Sequence, residues 1–428
     1  MSTADSERGL PEQIFTDEKT SENPNEKTHV FDPAPDGGLK AWLVAAGGAC
    51  IFFSALGFSN SFGVFEQYYL VHQLKGESPD KVAWIGSLQA CLQFLAGVLG
   101  GPLFDRYGSI VIRLASVSLV FAVMMTSLCK EYWEFMLAQG VLMGMSMGFV
   151  QFPAMAALTH YFDKNRAAAF GITISGSSIG GVVFPIAFSK MLNSTNLGYG
   201  WSVRVMGFVI IPVLLFASTV VTPRLPPRKS TFFVPSAFKD PMFNTITVAI
   251  FFAFIGLFSP LFYIPSYAVS TGMDATLASY LLAILNAAST FGRIIPGFLA
   301  DKFGRLNVFA IGSISAGIVI CCLTEATSTA GLVVYTLAVG FTTGTIISGG
   351  SAAFTLCVKN PQEGGAILGM GIGVGSLAAL IGPPVNGVLA NKYGFGPVGW
   401  FSGAICIAGG FVVVLAKATT PKGAFGLI

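Results

Sequence analysis

Charge is scarce in this chain: only 11% of its 428 residues are Asp, Glu, Lys or Arg, against about 25% in ordinary soluble domains. That excludes a water-solvated globule. Histidines are only three, His29, His72 and His160, and no cluster offers a nucleophile beside a base or a set of metal ligands, which argues against a membrane enzyme. The seven cysteines, Cys50, Cys91, Cys129, Cys321, Cys322, Cys357 and Cys406, fall in apolar runs without metal-ligand spacing and read as small packing residues. A secretory leader, with its basic start and apolar core, is missing, so the first apolar run is expected to stay in place. No nucleotide-binding loop occurs either, which argues against an ATP-driven pump.

What is abundant is apolar. Hydrophobic residues make up 53% of the chain, with 51 Gly and 38 Phe, and the mean hydropathy is +0.70. Apolar runs can be marked at residues 41–65, 82–104, 110–128, 133–160, 167–190, 201–222, 242–267, 277–300, 308–325, 331–357, 366–390 and 400–416. Each is near the ~20 residues that cross a bilayer as a helix. The expectation is an all-α polytopic membrane protein with twelve transmembrane helices.

The few charges are unevenly placed. Residues 1–40 hold nine acids and four bases among Ser, Asn and Pro, a composition that cannot offset the entropy of ordering, and are expected to form a disordered tail. Basic residues gather on alternate loops, at Arg106, Arg113, Lys164, Arg166, Arg224, Arg228, Lys229, Lys239, Lys302, Arg305 and Lys359, which places those loops and both termini on the cytoplasmic side. The sequon Asn193-Ser194-Thr195 then falls in an outward loop, with Asn193 as the glycan acceptor.

The chain also repeats itself. GPLFDRYGS from Gly101 and GFLADKFGR from Gly297 stand 196 residues apart, and Gly176-Ser177 with Pro185 and Gly375-Ser376 with Pro384 stand 199 apart. Two pairs at nearly one offset imply a six-plus-six duplication: a bundle over 41–222, a proline-rich basic linker over 223–240, a second bundle over 241–416 and a tail over 417–428.

The repeated loop explains itself physically. Gly101 and Gly297 let two helices approach, Asp105 and Asp301 place a charge at the membrane edge, and Gly108 and Gly304 permit a tight turn. Such a carboxylate can pair with a basic neighbour or a helix N-terminus in one conformation and separate in another. Lys302 and Arg305 supply cations in the second copy; in the first, Ser109 stands where a base is usual, leaving Arg106 or Arg113. This loop resembles the signature of the major facilitator superfamily. A narrower resemblance, to the monocarboxylate porter branch and its fungal members, lies in PDGGLKAWLVAAGG, with Asp36, Gly37, Gly38 and Trp42, and in YFDKNRAAAFGITISGSSIGG, with Tyr161, Phe162, Lys164, Arg166, Gly171, Gly176 and Ser177. The resemblance covers residues 35–416 and implies a secondary transporter.

Arg293 carries the sharpest expectation. It falls about eight residues, or roughly 12 Å, inside the eighth run, where a permanent cation needs a cavity, a partner or an anion. No Asp or Glu is expected deep in any run, Glu66 and Glu325 being placed at helix ends. In the monocarboxylate porters an arginine at this place is associated with the substrate carboxylate. Two positions depart from the family: Ser289 replaces an acid one turn earlier, and Asn60 stands where animal members have a lysine. A larger or more weakly charged ligand than lactate follows, held by Asn60, Asn286, Ser289 and Arg293, with Tyr263 and Tyr267 also able to line the cavity.

Two motifs mislead. Gly176-Ser177-Ser178-Ile179-Gly180 mimics a hydrolase elbow but lies inside an apolar helix, and GMGIGVG from Gly369 lacks the strand and spacing of a nucleotide loop; Gly371 and Gly375 suit helix packing. The functional expectation is a cofactor-free transporter, in the cell membrane or a vacuolar or other internal one, that moves a small organic acid or acidic secondary metabolite by alternating access. A proton can travel on the substrate itself or not at all, leaving proton coupling and facilitated diffusion both open. Export of a largely neutral metabolite and nutrient sensing are the alternatives, and no nucleic-acid partner is expected.

Overall fold

The computed structural model describes residues 33–227 and 233–418. Residues 1–32 of the expected tail, 228–232 of the linker and 419–428 of the C-terminal tail lie outside the described residues, as do the side chains of Asn193 and Ser194.

Twelve helices cross the bundle among the described residues. They are α1 (Gly38–Val71), α2 (Lys81–Tyr107), α3 (Ile110–Thr126), α4 (Tyr132–Tyr161), α5 (Arg166–Ser194), α6 (Gly198–Val220), α7 (Pro241–Ser270), α8 (Ala275–Phe303), α9 (Arg305–Cys321), α10 (Thr329–Phe354), α11 (Gly364–Tyr393) and α12 (Phe395–Ala418). Eleven have the length and apolarity of a membrane span, and α3 is a shorter apolar helix of 17 residues. Residues 38–40 are helical, so the expected tail ends sooner than residue 40.

Large apolar side chains point outward from α3 (Leu114, Val117, Phe121), α6 (Leu215), α9 (Ile311, Ile318) and α12 (Phe411, Leu415). In water these would be a liability; against lipid tails they are the natural surface. The remaining helices bury small residues at their crossings, because without a hydrophobic drive between helices, close backbone packing has to hold them. The halves meet along α2 with α11 and along α5 with α8. A Cβ on Gly101 would collide with the Gly365 carbonyl, one on Gly369 with the Gly97 carbonyl, and one on Gly171 with the Arg293 carbonyl.

Helix α1 is not continuous. A π-helical stretch over Phe53–Gly57 and a turn at Asn60–Ser61 separate Gly38–Phe52 from Phe62–Val71. The outer piece is clamped to its own half: Phe65 stacks on Phe188 at 4.0 Å, and the Tyr69 hydroxyl bonds Gln139 at 2.7 Å and Tyr199 at 2.9 Å. The first apolar run therefore extends past residue 65, and Glu66 is no helix end. It has a further turn of helix beyond it.

Candidate functional site

The two halves close on the side that carries Asp36 and Lys417. Asp105, at the end of α2, accepts the Ala366 N–H at the start of α11 at 3.0 Å. Asp301, at the end of α8, accepts the N–H groups of Ala167 and Ala168 at the start of α5 at 3.0 and 2.8 Å. Each carboxylate thus caps the N-terminus of a helix from the opposite half, where free N–H groups and the helix dipole favour an anion. Arg305 pairs with Asp301 at 3.5 Å and donates to the Asp163 carbonyl at 2.6 Å and the Thr355 hydroxyl at 3.0 Å. Arg106 lies over the Tyr107 ring, while Arg113 and Lys302 are exposed. Gly108 and Gly304 turn the chain at φ +66° and +93°, a region open chiefly to glycine.

The two narrower signatures meet on the same side. Oδ1 of Asp36 accepts the N–H groups of Asp163, Lys164 and Asn165 at 2.6, 2.7 and 3.3 Å, and Asp36 N–H donates to the Tyr161 carbonyl at 3.0 Å. Trp42 packs on Phe162 with centroids 5.0 Å apart. Arg166 donates to the Phe162 carbonyl at 2.7 Å and to the Thr355 carbonyl across the halves at 3.3 Å. Gly37 and Gly38 give the strand of chain entering this clasp, Gly38 at φ +83°. Gly176 lies where any side chain would strike the Ala49 carbonyl, and Gly297 faces Gly171 across the halves.

On the far side the halves part. A chamber of about 530 Å³ is lined by α1 (including Asn60, Phe62, Glu66 and Gln67), α2 between Gly86 and Phe94, Pro185 of α5, the outer half of α7 and the start of α8. Beneath it lies a recess of about 40 Å³ that shares Leu56, Asn60, Phe94, Phe258 and Leu261 with the chamber and adds Asn286, Ser289, Arg293 and Thr343. Asn60 Nδ2 donates to Asn286 Oδ1 at 3.2 Å across the halves, joining the two spaces at one level.

Arg293 is ten residues from Phe303, the end of α8, or about 15 Å along the axis, and it is 3% exposed. Its Nη1 donates to the Ile174 carbonyl at 2.9 Å and to the Ser177 hydroxyl, while Nε has no partner. It forms no ion pair among the described residues. Five donors on a planar fork are thus answered only by two neutral oxygens, which leaves the guanidinium able to take an anion from the recess. Asn60, Asn286, Ser289 and Arg293 do come together. Tyr263 and Tyr267 do not line either space: their hydroxyls bond the carbonyls of Pro383 at 2.7 Å and Thr324 at 3.3 Å, and Tyr267 packs on Phe395 at 5.4 Å. Aromatic walls come instead from Phe62, Phe94, Phe258 and Phe262.

A charge at the helix N-terminus is worth ~1–2 kcal/mol in partly buried geometry, so Asp301→Asn should loosen the closed side and lower its population up to about tenfold. Transport slows while surface expression holds. Labelling of a cysteine introduced near Gly365 measures the shift; unchanged labelling and turnover in both Asp301→Asn and Asp105→Asn would reduce these loops to topology markers.

A family model described as Major Facilitator Superfamily matches residues 48–305 and 246–425. The aspyridones efflux protein apdF of Emericella nidulans is 47% identical over 91% of this chain and 80% of its own length; the agnestins efflux protein AgnL12 of Paecilomyces divaricatus is 38% identical over 88% and 87%. Among solved structures, the human organic anion transporter MFSD10 (TETRAN) superposes with a TM-score of 0.70 at 14% identity over 88% of this chain and 100% of that one, and FucP in its outward conformation with 0.68 at 16% over 89% and 100%. At such identities these two speak for the fold alone. With its twelve helices, its paired capping loops and the chamber opposite them, the chain belongs to the major facilitator superfamily of membrane transporters and is not an enzyme.

Proposed function

We propose that this protein exports an acidic secondary metabolite by alternating access, and that it stands near the monocarboxylate porters within its superfamily. The observation that carries the acidic ligand is Arg293, a buried cation without a carboxylate partner that borders the space between the halves. Its relatives named for the efflux of aspyridones and agnestins support the direction and the metabolite class. The chamber's volume supports a drug-sized ligand, since pockets of ~300–1,000 Å³ enclose such molecules. The excess of Lys and Arg on the closed side supports a cytoplasmic location for both termini, and the cell membrane is the natural site for export.

In this reading the outer state described here releases substrate from the chamber, and separation of the two helix caps opens the inner side for reloading. Proteoliposomes containing the full chain test the ligand class directly. An arylalkanoate should be transported and its methyl ester should not. Equal transport of the ester, or of a permanent cation of the same size, would overturn the anion site.

A further inference from the structure

Glu66 is the only ionisable side chain among the described residues that line the chamber, and the position of the helix carrying it gives it a use. Along the outer piece of α1, Phe65 and Tyr69 point into the bundle and are fully buried, whereas Phe62, Gly63, Glu66 and Gln67 face the chamber. The clamp of Phe65 on Phe188 and of Tyr69 on Gln139 and Tyr199 holds Glu66 on the chamber wall. Among the described residues no hydrogen bond or ion pair reaches its carboxylate, and the polar groups that share the chamber with it, such as Ser266 and Ser279, are neutral. A carboxylate on this neutral wall to which none of those side chains donates is an acceptor open to a donor on a ligand.

We propose that Glu66 is a second anchoring residue, which accepts a hydroxyl or phenol hydrogen from the far end of a substrate whose acidic head lies at Arg293. The spacing sets the kind of molecule. Asn60 and Asn286 mark one level through their mutual bond. Glu66 is four residues beyond Phe62, where the outer piece of α1 begins just past Asn60, about 6 Å further outward at 1.5 Å per residue. Arg293 is seven residues inward of Asn286, about 10 Å, but its side chain reaches back outward to Ile174 and Ser177 while its own carbonyl faces Gly171. The two charged ends are therefore separated by on the order of 10 Å, bridged by the apolar walls of Phe62, Phe94 and Phe258. A two- or three-carbon acid cannot touch both. The fitting class is an acid with an aromatic or aliphatic middle and a hydroxyl at the opposite end.

This inference rests on the anion reading of Arg293, and the test separates the two. The full chain in lipid nanodiscs is titrated by calorimetry with 5-(4-hydroxyphenyl)pentanoate, its phenol methyl ether, its carboxyl methyl ester and the compound carrying both methyl groups. The wild type should bind the phenol about tenfold tighter than the ether, the discrimination expected when a hydrogen bond to a charged group is lost. Glu66→Leu should bind phenol and ether alike yet keep its preference for acid over ester; Glu66→Gln, which retains an acceptor without the charge, should fall between. Arg293→Ala should show the opposite pattern, with the acid preference lost and the phenol preference kept. Equal binding of phenol and ether by the wild type, or a phenol preference that survives Glu66→Leu, overturns the proposal, including the case in which Glu66→Leu changes only the pH dependence of transport. If the wild type ignores the carboxyl methyl group, the Arg293 reading fails, and the phenol–ether comparison on the two esters still decides Glu66.

Discussion

Arg293→Ala is expected to reduce transport of an anionic substrate by at least about a hundredfold, because a bidentate, largely desolvated contact between Arg and carboxylate is worth ~3 kcal/mol or more. The loss should appear in binding, measured on the purified protein, and in turnover, measured in vesicles, while the protein still reaches the membrane. Retention is expected because the guanidinium answers only neutral oxygens, Ile174 O and Ser177 Oγ; its removal leaves no opposite charge buried alone, the situation that makes breaking an ion pair so destabilising. Arg293→Lys should retain part of the activity, since the charge survives and the planar fork does not. Normal transport by Arg293→Ala would assign the arginine to packing between α5 and α8.

The second large effect is steric. Gly101→Val places a branched side chain where the Gly365 carbonyl lies, a backbone atom of α11 that cannot yield as a flexible side chain would. The closed arrangement of α2 against α11 should then be lost and the carrier held with its inner side open. Net transport should fall below about 1% of wild type, as expected when the required state is penalised by ~3 kcal/mol. Cysteine labelling on the inner side should rise as labelling at Ser279, on the chamber wall, falls. The partner substitution Gly365→Val should do the same, since its Cβ would meet Gly101 O and Asp105 Oδ1. Wild-type labelling in both variants would show that this contact does not control the conformational change.

The two predictions differ in how they could be reached from sequence. Arg293 is legible from its depth in an apolar run, since cost in a low-dielectric layer depends on position along one helix. Gly101 is legible as a repeat element, but not as the neighbour of Gly365, 264 residues away. Asp36 and the Asp163–Asn165 turn were likewise visible as two separate signatures, and only folding shows one carboxylate oxygen receiving three N–H groups from the other. Tyr263 and Tyr267 mislead because helical periodicity does not say which neighbour faces an aromatic ring; the carbonyls of Pro383 and Thr324 take their hydroxyls. Glu66 escapes the sequence because an apolar run reads as ending at the first charge, whereas α1 continues to Val71 with the acid on the chamber wall.

By itself the sequence determined the membrane class, the twelve helices and the cation within α8, and it implied a six-plus-six duplication. Each follows from a one-dimensional quantity: apolar length against bilayer thickness, the offset between like segments, or depth along a helix. The tertiary structure alone decided which side is closed, which carboxylate caps which helix, and which side chains share the chamber. Those are contacts between residues remote in the chain, and they depend on crossing geometry set by small residues at helix interfaces, a property that no single run contains.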